Sequence, residues 1–159
     1  MDDSDSERCY LAALRILKYR FNSAAELRRK LRSKRFERDV IESTLERLAK
    51  EKWLDDARFA AAYVRTRGLS KKGKLRIRSE LIRAGVADDV IASAVTENVD
   101  ADEERARALA LAQRRLPILS RRYAPDVVRN KLTVYLLNQG YDAALVHSAI
   151  KELKVVDHH

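Results

Sequence analysis

Arginine and lysine are the residues with the most to do in this sequence. Arg28, Arg29, Lys30, Arg32, Lys34, Arg35 and Arg38 crowd eleven positions whose only acid is Glu37. From Ala57 to Ser79 there is no acid at all, while Arg58, Arg65, Arg67, Lys71, Lys72, Lys74, Arg76 and Arg78 all occur. Arg114, Arg115, Arg121, Arg122, Arg129 and Lys131 form a third cluster. Side chains of this kind neutralise phosphates and release their counterions, so the chemistry they offer is binding to a polyanion. A single cluster would read as an ordinary solvated helix face, since Lys and Arg are good helix formers. Three clusters at the same offset argue for function.

Other chemistries find little here. Asp55-Asp56 and Asp88-Asp89 stand where helices begin, and there a carboxylate suits the helix dipole better than a catalytic role. Gly68 and Gly73 are too sparse for a phosphate-cradling loop, and no nucleophile elbow occurs. Cys9 and His147 are the only soft ligands apart from the terminal His158 and His159, so neither a metal site nor a cofactor is expected. His147 reads as a half-exposed side chain. Trp53, just before a helix start, reads as a plug at a junction between repeats. Tyr63, Tyr123 and Tyr135 lie nearest the basic clusters and read as core or half-buried, which leaves base stacking without support. No enzyme is expected.

The elements that carry these residues repeat. Leu27, Leu31, Phe36, Val40, Ile41 and Leu45 recur fifty residues on as Ile77, Leu81, Val86, Val90, Ile91 and Val95. They recur again as Leu132, Leu136, Tyr141, Leu145, Val146 and Ile150. Each set describes two helices joined by a tight turn. Gly85 and Gly140 sit where a helix end wants a left-handed residue, with Arg35 as the exception in the first copy. A further helical segment precedes each pair: Tyr10 to Phe21, Asp56 to Arg67, and Glu104 to Arg115. Ser23 and Glu26 form a capping box. Asp55 caps the next segment, with Leu54 and Phe59 as its hydrophobic staple. Residues 116–127, bracketed by Pro117 and Pro125, are expected to be a loop.

The fold expected is therefore all-α, three tandem three-helix, helix-turn-helix-like repeats. The division is a flexible acidic N-terminus over 1–8, repeats over 9–54, 55–100 and 101–154, and a tail over 155–159 compatible with a truncated purification tag. The 159 residues carry 33 basic and 24 acidic side chains, a net charge of +9. That charge divides into about +3 per repeat. With 4 Gly, 2 Pro and 10 aromatics, the composition argues against a sandwich or barrel. No apolar run reaches the roughly 18 residues of a membrane helix. The acidic start and the single cysteine fit a cytoplasmic protein.

The run Trp53-Leu54-Asp55-Asp56-Ala57-Arg58-Phe59-Ala60, followed by Lys72-Gly73-Lys74-Leu75-Arg76-Ile77-Arg78-Ser79-Glu80-Leu81 and Gly85-Val86, resembles the RecX regulatory proteins. Ser23 to Leu31 resembles the N-terminal signature of that family, and the likeness extends from residue 9 to about 153. Two positions depart from the pattern: Lys71 replaces the first Gly of the family motif and Lys74 replaces its Pro, which implies a different turn there. The resemblance implies an elongated, curved array that binds RecA–DNA filaments and suppresses their ATPase, strand-exchange and coprotease activities. It also implies a place in the filament's deep groove, with DNA contacted directly or through RecA. On this reading Lys71, Lys72, Lys74, Arg76 and Arg78 face the filament, supported by Arg28, Arg32 and Arg35 on one helix face. A monomer is expected. The alternative is a low-specificity, helix-turn-helix-type DNA-binding module that acts without RecA.

Overall fold

Helix-starting and helix-stopping residues account for the architecture directly. The computed structural model describes residues 3–153, and among them there are nine helices and no strand. α1 (Asp3–Tyr19), α2 (Ala24–Ser33) and α3 (Arg38–Lys50) come first. α4 (Asp56–Leu69), α5 (Lys74–Arg83) and α6 (Asp88–Asn98) follow. α7 (Ala101–Ser120), α8 (Pro125–Asn138) and α9 (Ala143–Glu152) complete the chain. The acidic start is helical from Asp3 onward, with Asp3 and Asp5 in the favourable first turn. Val155, His158 and the rest of the C-terminal tail lie outside the described residues.

The chain forms two compact units. One holds the described residues up to Ala62 together with Glu80–Ala94; the other holds Tyr63–Ser79 and the described residues from Val95 on. In the first, Cys9, Tyr10 and Ala13 of α1 pack with Leu27 and Leu31 of α2 and with Val40, Ile41, Leu45 and Leu48 of α3. In the second, Ala108, Leu111 and Ala112 of α7 pack with Val128, Leu132 and Leu136 of α8, Tyr141 and Val146. Leu27, Leu31, Ile77, Leu81, Leu132 and Leu136 are at most 1% exposed, so the repeated apolar pair is core in all three copies. Each such side chain contributes about 1.5–3 kcal/mol on burial.

Caps fix where the helices start. Ser23 and Glu26 make the expected capping box on α2. Asp55 Oδ1 accepts from the N–H groups of Ala57 and Arg58 at 3.0 and 3.2 Å, with Leu54 and Phe59 buried beside it. Asp56 does something else: its Oδ1 accepts from Ala24 N at 2.8 Å and so serves the start of α2. Glu104 repeats the device, accepting from Lys74 N at 2.8 Å at the start of α5.

One loop expectation fails. α7 continues through Pro117 to Ser120, and α8 begins at Pro125, which leaves only 121–124 as the link. Pro117 removes one backbone bond near the helix end, and the carbonyl it frees belongs to solvent-exposed Gln113. Leu116 and Leu119 meanwhile pack on the core of the second unit and hold the last turn in place. Pro125 sits at the first helical position, where its missing N–H costs nothing.

Candidate polyanion-binding surface

The turn between the second and third helix of each triplet needs a left-handed residue. Arg35, Gly85 and Gly140 supply it, with φ of 69°, 81° and 99°. Arg35 therefore lies beyond the end of α2 and does not continue the face of Arg28 and Arg32, contrary to the expectation that all three share one helix face. Lys71 also adopts a left-handed conformation, φ 65°. The residue type departs from the family motif, yet the backbone there takes the conformation that glycine enters most easily.

Arg28 and Arg32 line one hollow in the first unit with Phe36, Arg38, Ile41 and Glu42. Arg28 is committed within it. Its Nε donates to Glu42 Oε1 at 2.6 Å and its Nη2 to Oε2 at 3.3 Å. That pairing raises the guanidinium pKa and holds the Glu42 carboxyl below its ordinary range. Arg32 and Arg35 are exposed and make no side-chain bond among the described residues. Arg38, which spacing did not single out, brings a further cation to the same hollow.

The middle cluster divides differently. Lys72 Nζ donates to Gln139 Oε1 at 2.6 Å. Lys74 Nζ stands 3.0 Å from Asp142 Oδ2, and Arg76 Nη1 donates to the Asn138 carbonyl at 3.4 Å. The Lys71 carbonyl accepts from the Tyr141 hydroxyl at 2.9 Å, while its side chain is exposed. Backbone bonds follow the same line, Gly73 N to Gln139 O at 2.9 Å and Leu75 N to Gly140 O at 3.0 Å. Lys72, Lys74 and Arg76 thus spend much of their bonding capacity on the turn after α8. Arg78 is exposed and has no side-chain partner among the described residues. Asp142 is held below its ordinary range, first by the Leu145 N–H that it caps and then by Lys74.

Some side chains do not stand where sequence reasoning put them. Trp53 is 53% exposed and plugs nothing; it shares a hollow with Leu17, Phe21, Glu51, Lys52 and Arg58. Tyr123 is 39% exposed, with the Lys131 ammonium 4.6 Å from its ring. Tyr63 and Tyr135 are half-buried, as expected, whereas His147 is exposed rather than half-exposed. No signal in the sequence could have exposed Trp53, because the left-handed Lys52 before it is visible only in the backbone. Among the described residues no group of His, Cys, Asp or Glu is placed to hold a metal ion. None of their helices is long and apolar enough to cross a membrane.

Residues 9–48 match the first three-helix domain of RecX and residues 55–95 match the second. The regulatory protein RecX of Clostridium perfringens (strain 13 / Type A) is 32% identical over 147 residues, which span 92% of this chain and 68% of that protein. That of Prosthecochloris aestuarii is 34% identical over 154 residues, spanning 96% and 98%. The crystal structure of RecX from Lactobacillus salivarius superimposes with a TM-score of 0.88 at 26% identity, covering 98% of this chain and all of that one. With two RecX domain models matched over half of its length and relatives at 32% and 34% identity, the chain belongs to the RecX family of regulatory proteins.

Proposed function

We propose that this protein binds the RecA–DNA nucleoprotein filament and lowers RecA ATPase, strand-exchange and coprotease activity, lodging in the filament groove and acting without chemistry of its own. Its family carries the reading: two matched RecX domains hold the exposed cations Arg32, Arg35 and Arg78. All three are exposed to an outside polyanion; Arg35 and Arg78 have no side-chain partner among the described residues, while Arg32 also lowers the Glu42 carboxyl pKa at a distance. Lys71 joins them, being exposed at the tip of its turn. Arg28, Lys72, Lys74 and Arg76 play a supporting part, their groups being shared with Glu42 and the α8–α9 turn. The three-triplet division at 9–54, 55–100 and 101–154 is kept as the working description, as are a monomeric state and a cytoplasmic site of action.

The test is RecA ATPase on single-stranded DNA, titrated with the wild type and with an Arg32→Glu, Arg35→Glu, Arg78→Glu variant. Inhibition by the wild type that the variant has lost, with helicity unchanged, supports both the function and the site. Undiminished inhibition by the variant removes the site, and no inhibition by the wild type removes the function. A DNA-binding module acting without RecA would shift DNA at concentrations that leave the ATPase untouched.

A further inference from the structure

The hollow around Trp53 leaves two aromatic rings half in solvent. Leu54 turns into the core at 7% exposure, while Trp53, its neighbour, stays 53% exposed. The turn that presents it is fixed at several points. Lys52 is left-handed, with φ 65°. Trp53 N donates to Leu48 O at 2.9 Å and Leu54 N donates to the same oxygen at 3.3 Å. Arg58 Nη2 donates to the carbonyls of Lys52 and Trp53 at 3.0 and 3.4 Å. Leaving a large apolar ring half in water on a pinned backbone gains nothing for folding. Phe21, 52% exposed, lines the same hollow.

Charge selects the ligand. Lys52 and Arg58 are the cations of the hollow, and Arg58 also stands over the Phe21 ring at 5.4 Å. Its one acid, Glu51, is already engaged: its carboxylate accepts from the Tyr10 hydroxyl at 2.6 and 3.1 Å and lies 3.5 Å from Arg47 Nε. Exposed aromatic rings beside cations are what a base and its phosphate require, and stacking tolerates any base. The hollow measures about 330 Å³, room for a nucleoside but not for a docked helix.

We propose that Trp53 and Phe21 form a stacking site for an unpaired nucleobase of single-stranded nucleic acid, with Lys52 and Arg58 meeting its phosphate. This deepens the polyanion reading, because it adds base contact to charge, but its test needs no RecA.

Trp53 is the only tryptophan, so its fluorescence reports on the site directly. The probes are an oligothymidylate and an abasic oligonucleotide of equal length and charge. Expected are strong quenching by the first, little by the second, and an affinity for oligothymidylate about 5- to 150-fold lower in Trp53→Ala, read by fluorescence anisotropy of labelled DNA. Trp53→Phe should recover most of that loss. Both substitutions are at a half-exposed position, and far-UV circular dichroism verifies the fold. Equal quenching by the abasic strand, or Trp53→Ala binding within about twofold of wild type, overturns the proposal. Quenching by RecA protein but not by oligothymidylate overturns it too, because the rings then dock a protein. Loss of ATPase inhibition with quenching intact would instead refute only the filament reading.

Discussion

Gly140→Ala should be the most damaging one-methyl change in the second unit. Its φ of 99° lies where an L-residue pays for its Cβ, at a cost of about 1 kcal/mol. The added carbon has nowhere to go: it would overlap Arg76 Cβ and stand 2.6 Å from Arg76 N and 3.0 Å from Arg76 Cα. A flexible side chain could move aside, but the backbone of α5 cannot do so cheaply. Relief requires drawing the turn away from α5, which stretches the bonds Gly73 N to Gln139 O and Leu75 N to Gly140 O. Overpacking of that kind costs about 1–3 kcal/mol, giving a total of about 2–4 kcal/mol. Gly73→Ala separates the two contributions. Its Cβ would overlap the Gly140 carbonyl and Tyr141 N, yet its φ is not left-handed, so only the steric part, about 1–3 kcal/mol, should appear. Arg35→Gly has the opposite sign: it relieves a left-handed arginine and should gain about 1 kcal/mol. Urea unfolding followed by far-UV circular dichroism measures all three. Gly140→Ala within about 0.5 kcal/mol of wild type, the range of an ordinary surface change, would refute the close-approach argument.

Lys71→Gly should stabilise the protein by about 1 kcal/mol in the same assay, since Lys71 holds φ 65°. Glu104→Ala should cost about 1–3 kcal/mol, because it empties a site only 2% exposed and strips Lys74 N of its acceptor at the start of α5. Asp142→Asn should keep the cap on Leu145 but lose the titration. The folded Asp142 pKa is depressed, so its contribution is complete above the ordinary carboxylate pKa of about 4 and disappears as pH falls through the lower folded value. Acid unfolding of Asp142→Asn should accordingly be shallower than that of the wild type below about pH 4. Lys72→Glu with Lys74→Glu should lower the urea midpoint by placing new carboxylates near Asp142 and Glu104, whereas Arg78→Glu should leave it unchanged.

What the sequence made legible was local and periodic. The apolar pairs Leu27/Leu31, Ile77/Leu81 and Leu132/Leu136 named the core because burial imposes the helical period on the chain. Ser23, Glu26 and Asp55 were readable because a cap acts within four residues. Contacts between distant segments left no such trace. Asp56 resembles its neighbour Asp55 in sequence, yet it caps a helix that begins 32 residues earlier. Pro117 read as a breaker because the local rule is sound, but packing by Leu116 and Leu119 outweighs one missing backbone bond.

The basic clusters show the same limit in a sharper form. Counting charges ranked Lys72 and Lys74 with Arg78, since formal charge is a property of residue type. Availability is a property of the fold. Lys74 meets Asp142 and Lys72 meets Gln139, so replacing either removes a fold contact along with a charge. Arg78 and Arg35 are exposed with no side-chain partner among the described residues, and loss of either charge should register in binding alone. Charge reversal across the whole cluster would therefore confound unfolding with lost recognition. Only the substitutions at residues whose charge the fold leaves unused can report on a partner.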